Sequence, residues 1–124
     1  MIVAGFGFRA AATFESLADA LGRAAEVHVP TAFATAEDKA SALPLQELAA
    51  QYRVRILAVD AASLARQETQ TQSTMSLRAR GTGSVAEAAA LSAAGLGAKL
   101  LVGRVISGDG MATCAIAMGK EDVT

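Results

Sequence analysis

The sequence has no tryptophan, two prolines, one cysteine and one histidine, and the last two shortages each remove a class of function. Cys114 stands alone, which excludes an internal disulfide and a multi-cysteine zinc site and suits a reducing compartment. A lone thiol in an apolar segment is more often core than nucleophile. His28 has no second histidine with which to share a metal, so a structural role is expected. A basic excess is missing as well. Eleven Lys and Arg face twelve Asp and Glu for a net charge of −1, with no basic block, so DNA and RNA are not expected partners. No stretch approaches the roughly 20 apolar residues of a membrane-spanning helix. The opening Met1-Ile2-Val3-Ala4-Gly5 lacks the basic start of a secretory signal. A cytoplasmic protein away from membranes is expected.

What is present is small and apolar: 52% of the 124 residues are hydrophobic and 19% charged. This composition is too apolar for disorder, and a chain of this length buries about two thirds of its unfolded surface. One domain over residues 1–124 is expected. Much of the apolar content is alanine, which favours close packing of helix on sheet.

The pattern alternates strand and helix. Residues 2–6 read as a buried strand stopped by a Gly5-Phe6-Gly7 turn, and Thr13 can cap a helix whose face is Phe14, Leu17, Ala18 and Leu21. Residues 27–34 are strand-like, but Pro30 makes any strand there short or an edge. Glu37-Asp38-Lys39 reads as a charged loop. Pro44 fits the first turn of a helix with Leu45, Leu48, Ala49 and Tyr52 as its stripe. Residues 55–59 form the next strand, and Asp60 can cap a short helix to Leu64.

Residues 67–80 are polar without either apolar period, which predicts a surface loop or lid. Ser84-Val85-Ala86-Glu87 is a capping box that opens a helix to about Ala94, stopped by Gly95. Residues 99–106 and 111–118 form a hairpin about Ser107-Gly108-Asp109-Gly110. The fold class is therefore α/β: a single three-layer domain, its sheet mostly parallel with a C-terminal antiparallel hairpin, and helices on both faces. In such sheets ligands bind beyond the carboxyl ends of the strands.

Three constellations could carry chemistry. Gly5-Phe6-Gly7-Phe8-Arg9-Ala10 has the G-x-G-x-x-A spacing of a pyrophosphate turn, although Glu26, the acidic residue at the right distance, precedes its strand. Gly81-Thr82-Gly83-Ser84 leads into the capped helix, where free amides and the helix dipole favour an anion; the same glycines also serve simply to shape a turn. Arg9, Arg78 and Arg80 flank these turns and would converge on one rim, where guanidinium forks suit carboxylates. Glu37, Asp38 and Glu87 are the candidate acids or bases, Glu87 being already explained by capping. No cofactor and no metal site is expected.

Val3-Ala4-Gly5-Phe6-Gly7-Phe8-Arg9, Thr35-Ala36-Glu37-Asp38-Lys39, residues 83–91 and the closing hairpin together resemble the CobE and CbiG C-terminal domain family of cobalamin biosynthesis. The resemblance implies a corrin or precorrin ligand, an apolar macrocycle ringed by carboxylates, with other enzymes of the pathway as possible partners. Combined with the constellations above, it gives a ligand-binding set of Gly5, Gly7, Phe8, Arg9, Lys39, Arg78, Arg80, Gly81, Thr82, Gly83 and Ser84. The leading expectation is an accessory or carrier protein for such an intermediate. An enzyme acting on a precorrin is the alternative, since the longer family members open a precorrin lactone ring. A nucleotide-binding module using Gly5 and Gly7 is the third.

Overall fold

In the computed structural model, which describes residues 1–120, the apolar runs become strands β1 (Ile2–Phe8), β2 (Ala32–Ala36), β3 (Ile56–Val59), β4 (Lys99–Ile106) and β5 (Ala112–Met118). They form one sheet in the order β3-β2-β1-β5-β4. β1, β2 and β3 pair in parallel, β5 runs antiparallel to β1, and β4 antiparallel to β5. Four of these strands thus point one way. The sheet is the mostly parallel one, closed by a hairpin, that the sequence implies.

The helices are α1 (Phe14–Ala24), α2 (Leu43–Tyr52), α3 (Ala61–Ala65), α4 (Thr74–Arg80) and α5 (Val85–Ala94), with a 3-10 turn at Glu37–Lys39. Strand alternation sends neighbouring side chains to opposite faces. On one face Ala4, Phe6, Phe33 and Ile116 meet Leu17 and Leu21 of α1 and Leu45 and Leu48 of α2. On the other, Val3, Ala34, Val59 and Ala117 meet Leu64 of α3 and Ala88, Ala89 and Ala90 of α5. Each fully buried leucine contributes about 1.5 to 3 kcal/mol, so both faces are firmly covered.

Local signals set the helix ends. The Thr13 hydroxyl accepts the Ser16 amide while Ser16 Oγ accepts the Thr13 amide, a reciprocal box. Pro44 lies in the first turn of α2, where no donor is missed. Asp60 accepts the Ser63 amide at 2.7 Å. The hairpin turn is tied by Asp109, which accepts from the hydroxyls of Ser16 (2.5 Å) and Ser107 (2.6 Å) and from the Met111 amide.

Three expectations are corrected. Pro30 precedes β2 instead of interrupting it, so the strand is short but interior, paired on both sides. Residues 67–80 are not loop throughout, because they end in α4. The Ser73 hydroxyl accepts the Ser76 amide and Gly81, at φ 71, closes the last turn. This helix buries no residue, and so leaves no apolar period in the sequence.

The third correction concerns Gly5 and Gly7, which lie within β1 and not at a strand-to-helix turn. A methyl group on Gly5 would overlap the Ala86 carbonyl and Ala90 of α5. The glycine permits close approach of helix to sheet, and the pyrophosphate-turn reading loses its geometry.

Candidate functional site

Because β1 ends where its antiparallel neighbour β5 begins, Phe8 and Arg9 meet Met111 at one rim of the sheet; the Arg9 amide donates to the Met111 carbonyl at 3.0 Å. β4 ends at the same rim. The start of α5 arrives there too, its Ser84 hydroxyl accepting the Glu87 amide at 3.2 Å. Together with α4 these ends enclose a cavity of about 430 Å³, at the carboxyl ends of the parallel strands.

Arg9, Arg80 and Arg104 line the cavity, and among the described residues that form its wall none is acidic. Phe8, Met75, Ile106 and Met111 supply an apolar side. Ser76 and Thr113 add hydroxyls; Thr113 donates to the Gly7 carbonyl at 3.1 Å, which fixes the rim. Cationic forks beside an apolar wall suit a ligand that is itself apolar with carboxylate arms.

Of the residues singled out in the sequence, Gly7, Phe8, Arg9, Arg80 and Ser84 are brought together at this cavity. Lys39 stands beside it, its Nζ 5.1 Å from the centre of the Phe8 ring. Gly81, Thr82 and Gly83 line a separate, more polar hollow with Gln67, Thr69 and Leu77. Gly5 is buried under α5. Arg78 lies on α4 two positions from both Ser76 and Arg80, a spacing that turns it off their face, and it lines neither hollow.

The three acid or base candidates do not meet. Glu37 is exposed. Asp38 receives both terminal nitrogens of Arg80. That hydrogen-bonded pairing holds the Asp38 carboxyl below its ordinary value and raises the Arg80 value. Glu87 is fully buried, and its carboxylate accepts the Thr71 amide (3.0 Å), the Thr71 hydroxyl (2.7 Å) and the Arg104 amide (2.8 Å). Burial pushes its pKa up, but these donors and the Gln70 amide outweigh burial, so the group sits below the usual glutamate value. The expected capping box is therefore formed only on the Ser84 side. Glu87 ties α5 to β4 and to the segment before α4.

Arg104, Met75, Ser76, Ile106, Met111 and Thr113 were not singled out from the sequence. Arg104 carries a readable signal, a charge inside an apolar strand. The others depend on where α4 and the hairpin dock. Among the described residues, no group of three or more His, Cys, Asp or Glu is placed to hold a metal ion. No helix of the described residues is long and apolar enough to cross a membrane.

Residues 2–117 match the family described as Cobalamin synthesis G C-terminus. The chain belongs to that family. The Cobalamin synthesis G C-terminus fold is shared with CobE, a protein from the cobalamin (vitamin B12) biosynthetic pathway. That crystal structure is 29% identical with a TM-score of 0.82, over 94% of this chain and 89% of that one. Cobalamin biosynthesis protein chiG from Agrobacterium tumefaciens str. C58 is 33% identical with a TM-score of 0.74, covering 97% of this chain and 99% of the other. A cobalamin biosynthesis protein G homolog from Sulfolobus solfataricus shares the fold, with a TM-score of 0.70 at 21% identity over 36% of its own length. Among curated proteins no sequence matches. The family resemblance read from the sequence and the fold class both stand, and they place this chain in a protein family of cobalamin biosynthesis.

Proposed function

We propose that this chain is an accessory or carrier protein that holds a corrin or precorrin intermediate at the rim cavity by its acetate and propionate arms. The observation that carries the reading is the composition of the cavity wall: three arginines, an apolar side and no acidic residue among those described. Such a wall attracts carboxylates, and the Asp38 carboxylate beside it is taken up by the Arg80 fork instead of being placed to activate water. A cavity of about 430 Å³ lies at the lower end of the range for drug-sized ligands, so one edge of the macrocycle enters while the rest stays at the surface. A ligand held by one edge can be passed on to another enzyme of the pathway.

Titration of the purified chain with metal-free and cobalt-containing corrin precursors, followed by visible spectrum and product mass, tests the proposal. A saturable spectral change with unaltered mass is expected. A changed product mass makes the chain an enzyme, and no spectral change with any precursor removes the corrin reading.

A further inference from the structure

We propose that Asp38 occupies on Arg80 the place of a ligand carboxylate, so that α4 is a flap latched by an ion pair which an incoming carboxylate exchanges. The inference rests on the corrin-binding reading for the identity of that ligand.

The pair is two-pronged: Nη1 of Arg80 donates to Oδ1 of Asp38 and Nη2 to Oδ2, the latter at 2.9 Å. This is the fork a ligand carboxylate would take. It joins the last residue of α4 to the 3-10 turn after β2, 42 positions away in sequence. The Asp38 side chain is 63% exposed and that of Arg80 26%. The carboxylate can therefore move into water while the guanidinium stays at the cavity wall. Exposed pairs of this kind contribute little net stability, so a carboxylate on a partly sequestered macrocycle can displace one.

Two further features of α4 point the same way. It buries no residue, so few apolar contacts oppose its movement, and its start is tethered by the Ser73 amide donating to the Gly83 carbonyl at 2.8 Å. Ser76, one turn before Arg80 on the same face, lines the cavity, and its hydroxyl oxygen is buried without a hydrogen-bond partner among the described residues. A buried polar group left unpaired is costly, and an oxygen of an entering arm would satisfy it. Arg80 and Ser76 thus present two adjacent points for one carboxylate.

Hydrogen exchange of amides 74–80 and equilibrium binding of dicyanocobyrinic acid, a corrin with free carboxylate arms, test this on the full chain, Asp38→Asn and Arg80→Gln. Without ligand, both substitutions and high salt should speed exchange in 74–80 while the strands keep their protection. With ligand, Asp38→Asn should bind about two- to fivefold tighter because the internal competitor is gone, and Arg80→Gln should bind more weakly. Unchanged exchange in ligand-free Asp38→Asn overturns the latch. Binding by Asp38→Asn that is equal to or weaker than that of the unmodified chain overturns the carboxylate exchange. If the corrin binds no form of the chain, the binding reading fails and the exchange with it, while the ligand-free measurement still decides the latch.

Discussion

Ser84 and Glu87 face each other across the first turn of α5, and the bond between them runs one way: the serine hydroxyl accepts the glutamate amide, while the glutamate carboxylate turns to Thr71 and Arg104. One residue caps the helix. The other carries a buried charge whose partners lie on β4 and in the segment before α4.

Replacing Glu87 by Gln removes the charge from those hydrogen bonds and should lower unfolding stability by about 1.5 to 3 kcal/mol at neutral pH. The folded-state pKa is depressed, so this stabilisation is present above the unfolded pKa and is lost as pH falls through the folded value. Urea midpoints of the two forms should therefore differ at pH 7 and approach each other in acid. A constant gap across that range would contradict an ionised Glu87.

Ser84→Ala should cost about 0.5 to 2 kcal/mol, the usual loss of an N-cap bond. Denaturant unfolding checks it. An unchanged midpoint would mean that α5 does not depend on this hydroxyl.

Asp109 has its pKa lowered to about 2, chiefly by the hydroxyls of Ser107 and Ser16. The stability it lends is complete above the ordinary aspartate value and disappears as pH falls toward 2. Asp109→Asn should therefore have a lower thermal midpoint at neutral pH, with the difference closing in strong acid. The turn should loosen before the rest of the sheet, which exchange at Gly108 and Gly110 would report.

Gly5→Ala and Gly22→Ala should move stability in opposite directions. The first places a methyl on the backbone of α5 and should destabilise by about 1 to 3 kcal/mol, the usual range for overpacking. Nothing lies within 4 Å of a methyl on Gly22, an exposed position inside α1, so the gain in helix propensity should stabilise by about 0.5 to 1 kcal/mol. Thermal unfolding of both variants decides. A neutral Gly5→Ala would mean that α5 packs less closely than described.

Among the arginines, Arg104→Gln and Arg9→Gln should weaken corrin binding by about two- to fivefold each at an open rim, and more where the macrocycle excludes water. Arg78→Gln should leave it unchanged. Equal losses at all three would mean that binding follows net charge and not the cavity.

The sheet and its two faces were legible because strands covered on both sides read as short apolar runs, as in residues 2–6, and packed helices leave a period of 3.6, as in Phe14, Leu17 and Leu21. α4 was not, since a helix with no buried side chain leaves no period; only Ser73 and Gly81 mark its ends. The same gap explains the arginines. In a loop Arg78 and Arg80 could point together, but on a helix they cannot, and Arg104 takes the place expected of Arg78 at the cavity. Glu87 shows a different limit. Its spacing from Ser84 is that of a capping box, and only tertiary donors reveal that its carboxylate goes elsewhere.

Ile2 pairs with Met118, so the central strand borrows a neighbour from the far end of the chain. Until β5 has been synthesised, one edge of β1 is an open ladder, and the β1 to β5 pairing must close a loop of nearly the whole sequence. Folding should accordingly be slow for so small a protein and all-or-none, with the rim cavity absent from a fragment that lacks β5.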